Sequence, residues 1–228
     1  MSRARHLPIG LFVIATIGAC LSNEEDAELG TTEQAVVTPT IFISDENGQA
    51  EEGGAHCPAG KVAMGYECDG WYCDNIRLLC DDFPGTLGAL QPWTPWFSEE
   101  TIGRGCAGAD EWITAIQCRG GWCDDMRVRC RKATHASVRT VERNACGPVG
   151  PTSEEFGPIS LEGQNRFLGA MSCQGGYCDN VSATACTPQV RCDSGLGCGF
   201  SSSAPCQCDA ACTSFGDCCP NKVSECGP

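Results

Sequence analysis

Short segments that alternate apolar and polar residues follow one another along most of the chain. Ile76-Arg77-Leu78-Leu79 shows this alternation, and Val62–Tyr66 and Ile113–Ile116 are similarly strand-like. A period of two places every second side chain on the same face of a sheet. The pattern therefore predicts a mainly β fold built from short strands.

These segments belong to an internal repeat with three copies. In each copy, two cysteines with the spacing C-x4-C are followed by Asp and then by Asn or Asp, and a further cysteine closes the next strand. Each copy opens with Ser and two acidic residues, at Ser44, Ser98 and Ser153. The predicted unit is a β-hairpin with a disulfide across its tip. The three motifs are Cys68–Asn75, Cys118–Asp125 and Cys173–Asn180.

A fourth cysteine precedes each motif, so each repeat holds two disulfides. Nested pairing is the simplest arrangement, with the tip closed on itself and an outer bond stapling the bases of the strands. Four cysteines allow three pairings, and the spacing alone leaves all three open. The nested scheme predicts Cys57–Cys80, Cys68–Cys73, Cys106–Cys130, Cys118–Cys123, Cys146–Cys186 and Cys173–Cys178.

The third copy lacks the strand that follows the other two, because a cysteine-rich segment begins soon after Cys186. The strand Thr40–Ser44 at the front of the domain can fill that position. The three repeats would then close into a ring without an exposed sheet edge. Two closed threefold folds, the β-prism and the β-trefoil, meet this requirement, and the predicted domain spans residues 38–190.

The order of features within a repeat resembles the vitelline membrane outer layer protein family. Trp93–Trp96, Cys106, Ile113–Ile116, Asp124-Asp125 and Met126–Cys130 follow one another as in that family. The resemblance implies a three-repeat β-prism, the kind of fold that jacalin-type lectins also use. The C-x4-C tips depart from the family pattern.

Eight cysteines lie between Cys192 and Cys226, with the spacing C-x5-C-x7-C-x-C-x3-C-x5-C-C-x6-C. So short a segment cannot bury enough apolar surface to fold without covalent links. The spacing resembles the somatomedin B domain, and residues 191–228 are assigned to such a module. Zinc binding by the thiolates is the alternative, which an oxidising compartment disfavours. The resemblance implies the pairs Cys192–Cys208, Cys198–Cys226, Cys206–Cys219 and Cys212–Cys218.

Somatomedin B domains bind protein partners through an aromatic residue of the first loop and through acidic and aromatic residues near a single-turn helix. Phe200, Asp209 and Phe215 occupy the matching positions. The resemblance implies that these residues contact a protein partner. In the alternative interpretation, Asp209 caps the short helix and the two phenylalanines cover disulfides.

The 21 cysteines indicate where the protein resides, because an oxidising compartment is needed to keep so many of them paired in disulfides. Residues 1–19 have the basic start and short apolar core of a signal peptide. Ile17–Cys20 resembles the lipobox of bacterial lipoproteins, which implies a lipid on Cys20 and leaves an even number of cysteines. We expect an outer-membrane or cell-surface lipoprotein, held only by its lipid, with residues 20–37 as an acidic flexible tether. Secretion is the alternative.

The net charge and the candidate catalytic and binding residues restrict the functions that the protein can have. The formal charge of −14 argues against nucleic acid and anionic membranes as partners. Neither His56 nor His135 lies near a plausible nucleophile, so we expect no enzyme, no metal site and no cofactor. Calcium held by the hairpin tips or by the triplets of Ser and two acidic residues is the alternative. The expected role is recognition or adhesion, and a structural component of an outer layer or matrix is the alternative. The aromatic and acidic residues of the hairpins predict three equivalent carbohydrate sites, formed by Trp71, Tyr72, Asp74, Trp122, Asp124, Tyr177 and Asp179.

Overall fold

A computed structural model of the protein describes residues 37–44, 54–101, 103–135, 139–153, 157–192, 198–200 and 204–227. The predicted signal peptide, Cys20 and almost all of the acidic tether lie outside these residues. The described part is mainly β, as the alternating pattern predicts, and none of its helices is long and apolar enough to cross a membrane. The strands are β1 (Thr38–Pro39), β2 (Ala55–His56), β3 (Lys61–Asp69), β4 (Asn75–Asp82), β5 (Thr86–Trp93), β6 (Arg104–Gly105), β7 (Glu111–Arg119), β8 (Asp125–His135), β9 (Arg139–Thr152), β10 (Ile159–Ser160), β11 (Phe167–Gln174) and β12 (Asn180–Cys192).

Three antiparallel hairpins form the centre of the fold: β3–β4, β7–β8 and β11–β12. Each hairpin reverses through a short 3₁₀ turn, at Trp71–Cys73, Gly121–Cys123 and Gly176–Cys178. The pairing register shifts at the same place in all three, near the middle of the first strand, which marks a β-bulge that bends each hairpin. The predicted threefold repeat of hairpins is confirmed.

Strands from other parts of the chain extend each hairpin into a four-stranded sheet. Sheet 1 has the order β10-β3-β4-β1, sheet 2 the order β2-β7-β8-β5, and sheet 3 the order β6-β11-β12-β9. The two-residue strand that precedes each hairpin always joins the sheet of the next repeat, so the repeats interlock around the ring. Sheets 2 and 3 also join at one corner, where the end of β8 pairs with the start of β9.

The N-terminal segment completes sheet 1, as predicted. The Thr40 backbone N–H donates to the carbonyl oxygen of Leu78 (2.8 Å), and that of Ile43 donates to Ile76 (2.9 Å). The first strands of the three hairpins pack against one another around a single core. Three sheets facing one axis correspond to the prism rather than to the trefoil.

The core closes at the base of the hairpins, away from their tips. Phe83, Trp112 and Phe167 are buried there, with ring centroids 5.1 to 6.0 Å apart. Two large buried side chains of this core, Trp112 and Tyr66, have hydrogen-bond partners for their polar atoms, which offsets the cost of removing those atoms from water. The Trp112 indole N–H donates to Val141 O (3.0 Å), and the Tyr66 hydroxyl donates to Val181 O (2.9 Å). Burial raises the pKa of Tyr66 above its usual range.

The ten disulfides of the structure join the same cysteine pairs as the nested scheme and the somatomedin B resemblance. The outer bonds of the first two repeats do more than staple one hairpin. Cys57 follows β2, a strand of sheet 2, and bonds to Cys80 of sheet 1. Cys106 likewise follows β6 of sheet 3 and bonds to Cys130 of sheet 2. These two bonds therefore tie adjacent sheets together.

The third outer bond differs from the other two. Cys146 of β9 and Cys186 of β12 lie in the same sheet, with their Cα atoms 4.0 Å apart. Leu161 follows β10 at the position that Cys57 and Cys106 hold in the other repeats, and it is buried. The strand register places Ala185, also buried, where Cys80 and Cys130 lie. Two buried apolar residues, Leu161 and Ala185, thus hold the positions of the inter-sheet disulfide in repeat 3.

The C-terminal module follows directly from β12, whose last residue is the first cysteine of the module, Cys192. Its helices are α1 (Cys212–Phe215) and α2 (Lys222–Cys226). The buried side chain of Asn221 both accepts from the Cys192 N–H (2.8 Å) and donates to the Cys192 carbonyl (2.9 Å). The buried Arg139 of β9 donates to Gly199 O (2.6 Å), and burial lowers its pKa. These bonds hold the module against sheet 3.

Candidate functional site

The three hairpin tips converge at one end of the prism, and we call this end the apex. Each tip contributes one aromatic ring: Tyr72, Trp122 and Tyr177. The ring centroids lie 6.3 Å apart for Tyr72 and Trp122, 6.1 Å for the two tyrosines and 4.8 Å for Trp122 and Tyr177. Unlike the aromatic cluster at the base, these rings are 42 to 48% exposed. The apex is therefore an aromatic surface that is open to solvent.

An unusual backbone conformation holds the rings in place. Tyr72, Trp122 and Tyr177 have φ angles of 58°, 60° and 61°, and the cysteine after each is also left-handed. A bulky residue is uncommon in that region, since its Cβ crowds the backbone. The surrounding structure must impose it, and the C-x4-C disulfide closes each tip into a short ring that does so. Residues in such strained conformations cluster at functional sites.

The tips also brace one another. The Cys123 sulfur lies 3.1 Å from the carbonyl oxygen of Asp74, and the Cys178 sulfur lies 2.9 Å from that of Asp124. Each of these disulfides therefore packs on the backbone of the preceding tip. The arrangement keeps the aromatic rings at fixed distances instead of leaving each on a free loop.

The acidic turn residues do not hold the left-handed positions of the tips. Asp74, Asp124 and Asp179 have φ angles of −64°, −53° and −61°, because the left-handed positions belong to the aromatic residue and the cysteine before them. Two of the aspartates instead accept from the neighbouring asparagine side chain: Asp74 from Asn75 (2.7 Å) and Asp179 from Asn180 (2.6 Å). These bonds fix the exit of the turn.

The structure brings the residues of the three predicted equivalent sites together at one end of the prism. Each hairpin carries the same set of residues in the sequence, but the three repeats close around an axis at which their tips touch one another. Rings less than 7 Å apart form one surface. The surface is not symmetric, because Trp71, 77% exposed, stands where the other tips have Gly121 and Gly176. The first repeat thus contributes a second ring to a single composite site.

One acidic pair lies beside the apex. The side chain of Glu99 hydrogen-bonds to Asp124, and the pKa of Asp124 is raised by burial, by this hydrogen bond and by the negative charge of Glu99. The Cys178 sulfur is near both groups but is in a disulfide. Calcium prefers six or more oxygen ligands, so the described donors are few for it. The acidic residues of the other two triplets, Asp45, Glu46, Glu154 and Glu155, lie outside the described residues.

The C-terminal module exposes its own apolar side chains. Phe200 and Phe215 are 68% and 79% exposed, so they do not cover disulfides. Asp209 does support the short helix, because its carboxylate accepts from the Cys212 N–H (2.9 Å). Val223, 70% exposed on α2, is a further candidate that the family resemblance does not indicate. The sulfurs of Cys192, Cys208 and Cys219 lie close together but are bonded to partners, which leaves zinc no thiolate there.

Comparison with known proteins identifies no relative of this chain. No protein family, no curated protein and no solved structure matches the chain. The two family resemblances therefore remain predictions from the repeat and cysteine patterns.

Proposed function

We propose that the protein is a non-catalytic recognition or adhesion protein of the cell surface and that its apex binds carbohydrate. One observation carries the proposal: aromatic rings from all three repeats meet on a single solvent-exposed surface. An aromatic face packs well against the C–H face of a sugar ring, and most large apolar side chains of this chain are buried instead.

The polar groups around the rings suit the same ligand. Asp74, Asp124 and Asp179 end the three tips, and the tyrosine hydroxyls lie on the apical rings themselves. Carboxylates and hydroxyls bond the hydroxyl groups of a sugar while the rings supply apolar contact. Because the disulfides hold the tips in place, little conformational entropy is lost on binding.

A glycan array probed with the full chain tests this proposal, with and without a calcium chelator. We expect binding that Trp122→Ala weakens about tenfold, since an aromatic contact of this kind is worth roughly 1–1.5 kcal/mol. Phe215→Ala on the distant module is the control and should leave the array profile unchanged. A blank array for the wild-type chain would contradict the proposal, and loss of binding with the chelator alone would favour calcium at the apex.

A second binding function is proposed for the C-terminal module, which we infer contacts a protein partner. The exposure of Phe200, Phe215 and Val223 on one small module supports it, because isolated modules of this size rarely leave several large apolar side chains in water without use. Photo-crosslinking from position 215 on the full chain should trap a partner that Phe200→Ala no longer recruits. Equal trapping by both chains would argue against the role of Phe200.

The location is proposed on the sequence alone: an outer-membrane or surface lipoprotein acylated at Cys20, with secretion as the alternative. Fatty-acid labelling of the wild type and of Cys20→Ala tests it, and equal labelling would contradict it. If the protein is instead a structural component of an outer layer or matrix, mild detergent should fail to release it from cells.

A further inference from the structure

The outer face of sheet 2 carries a row of arginines that we call the arginine ladder: Arg119, Arg127, Arg129 and Arg131. The last three alternate along β8 with buried residues, so they point to the same, outer face. Successive members on one strand are about 7 Å apart, two residues at roughly 3.3–3.4 Å each. The ladder contains four of the 15 lysines and arginines of a chain whose formal charge is −14.

Two indole rings hold the guanidinium groups in position. The Arg119 and Arg127 guanidinium carbons each lie 4.2 Å from the centroid of Trp96. Arg127 also lies 5.0 Å from the centroid of Trp93, and Arg129 lies 5.6 Å from it. A guanidinium stacked on an indole keeps its N–H edge available while its stem is packed. The ladder is thus pre-organised rather than a set of free side chains.

Few carboxylates neutralise the ladder. Arg127 donates to the amide oxygen of Gln117 (2.7 Å), Arg129 to the Gln91 carbonyl (2.6 Å) and Arg131 to the Gly88 carbonyl (2.7 Å), all neutral acceptors. Of the four ladder arginines, only Arg119 forms an ion pair with a described carboxylate, that of Asp125 at 3.0 Å. Three positive charges therefore stay uncompensated by described carboxylates. Burial and the charges of Arg119 and Arg129 lower the pKa of Arg127.

The other two sheets show that the fold does not need this face. In sheet 1, Glu67 holds the register position of Gln117 and forms an ion pair of 2.6 Å with Arg77, the counterpart of Arg127. Sheet 3 has a serine pair there, Ser172 and Ser182. The ladder positions hold Asp69, Arg77, Leu79 and Asp81 in sheet 1, and Gln174, Ser182, Thr184 and Cys186 in sheet 3.

We propose that the arginine ladder binds an anionic polysaccharide, whose sulfate or carboxylate groups accept hydrogen bonds from successive guanidiniums. Arginine forks bind such oxyanions with two N–H groups at once. An extended chain with regularly spaced charges fits a row of donors on a flat sheet face. An acidic peptide would gain most by adding a strand, but β7 and β8 are already paired on both sides. A nucleic acid would cover more of the surrounding acidic surface, which repels it.

Binding assays with defined polymers test the proposal on the full chain. The probes are dextran sulfate, polygalacturonate and uncharged dextran, with polyglutamate and a single-stranded oligonucleotide for the two other classes of polymer. We expect one or both anionic polysaccharides to bind with an affinity that falls steeply as salt is added, and uncharged dextran to show no such salt-dependent binding. The sulfated and carboxylated arms show which oxyanion is preferred.

Three variants distinguish binding at the ladder from a general effect of the protein's positive charges. Arg127→Gln/Arg129→Gln should weaken binding about tenfold or more, because two charge-assisted contacts are lost. Arg77→Gln/Arg104→Gln removes the same number of charges from other sheets and should bind as the wild type does. Gln117→Glu keeps every arginine but recreates the ion pair of sheet 1, and it should also weaken binding.

Three outcomes would overturn the proposal: no binding of either anionic polysaccharide at low salt, equal loss in the two arginine double variants, or tighter binding of polyglutamate or the oligonucleotide. Trp122→Ala removes an apical ring and no ladder residue, so the salt-dependent binding and its loss in Arg127→Gln/Arg129→Gln should both persist in this background. Failure of the ladder and failure of the apical carbohydrate site are therefore distinguishable.

Discussion

Removing one buried hydroxyl, that of Tyr66, tests whether the sheets are held together as the structure indicates. Tyr66 lies on β3 of sheet 1 and is fully buried, and its hydroxyl donates to Val181 O of sheet 3 at 2.9 Å. Tyr66→Phe keeps the ring and its packing. The substitution therefore removes the hydroxyl's hydrogen bonding to sheet 3, to Val181 O and more weakly to Val149 O at 3.4 Å, and little else.

The expected loss follows from the burial of both partners. Removing one partner of a buried hydrogen bond costs about 1–3 kcal/mol, because the remaining group stays out of water. In a domain of this size, 1 kcal/mol shifts the melting temperature by about 2–4 °C. Thermal unfolding of Tyr66→Phe with its disulfides intact should thus begin roughly 2–12 °C below that of the wild type. Tyr72→Phe, at the exposed apex, is the matched control and should unfold within about 0.5 kcal/mol of the wild type.

The pH dependence gives a second, independent measurement. The pKa of Tyr66 is raised in the folded state because burial disfavours the ionised phenol, and in the unfolded chain it is about 10. Its contribution to stability is therefore complete below pH 10 and is lost as the pH rises from there through the folded value, by up to about 1.4 kcal/mol per pH unit. Tyr66→Phe lacks this loss, so its deficit should shrink above pH 10. Equal stability of the two chains at pH 8, or a constant deficit up to pH 11, would refute the reasoning.

Three further predictions concern other parts of the prism. Leu161→Cys/Ala185→Cys should form an additional disulfide, because these positions match the inter-sheet pairs Cys57–Cys80 and Cys106–Cys130. Mass spectrometry without reduction detects this bond. As the control, Leu161→Cys alone should leave one reactive thiol. Arg139→Leu removes the donor to Gly199 O, so it should destabilise the chain by about 1–3 kcal/mol. It should also speed proteolysis in the C-terminal module, and an unchanged cleavage rate would contradict this prediction. Glu99→Gln relieves repulsion of the Asp124 carboxylate, so it should raise the melting temperature at pH 7 but not at pH 3, where Asp124, whose pKa is raised, is protonated. A gain at both pH values would exclude charge as the cause.

The sequence was sufficient for the features that are local or that a repeat makes visible. The C-x4-C spacing predicts the clipped tips, and the alternation of residues such as Ile76–Leu79 predicts the hairpin strands. Counting strands per repeat predicts that the segment around Thr40–Ser44 must complete sheet 1. Each of these inferences needs only the neighbours of a residue or its counterpart in another copy.

Features that depend on how the repeats meet were beyond the sequence. The convergence of Tyr72, Trp122 and Tyr177 follows from the closure of the ring, which brings together residues about 50 positions apart, as in other arrays built from repeats of this length. The left-handed backbone of these bulky residues also opposes their local preference, so no residue preference at these positions predicts it. The exchange of short strands between neighbouring sheets leaves no sequence signal, because a two-residue strand such as β2 has no periodicity.

Closure of the ring explains why the two proposed binding surfaces differ in symmetry. The tips contact one another, so each repeat must present a tip of the same shape, and their side chains pool into one site. The outer faces of the sheets do not converge on the axis, so their charges are free to differ, and only sheet 2 of the three described sheets carries the ladder. A substitution in any repeat should therefore affect apical binding, with effects that do not add because the rings touch. Binding at the ladder should respond only to substitutions in sheet 2 and in Trp96, which packs against its arginines.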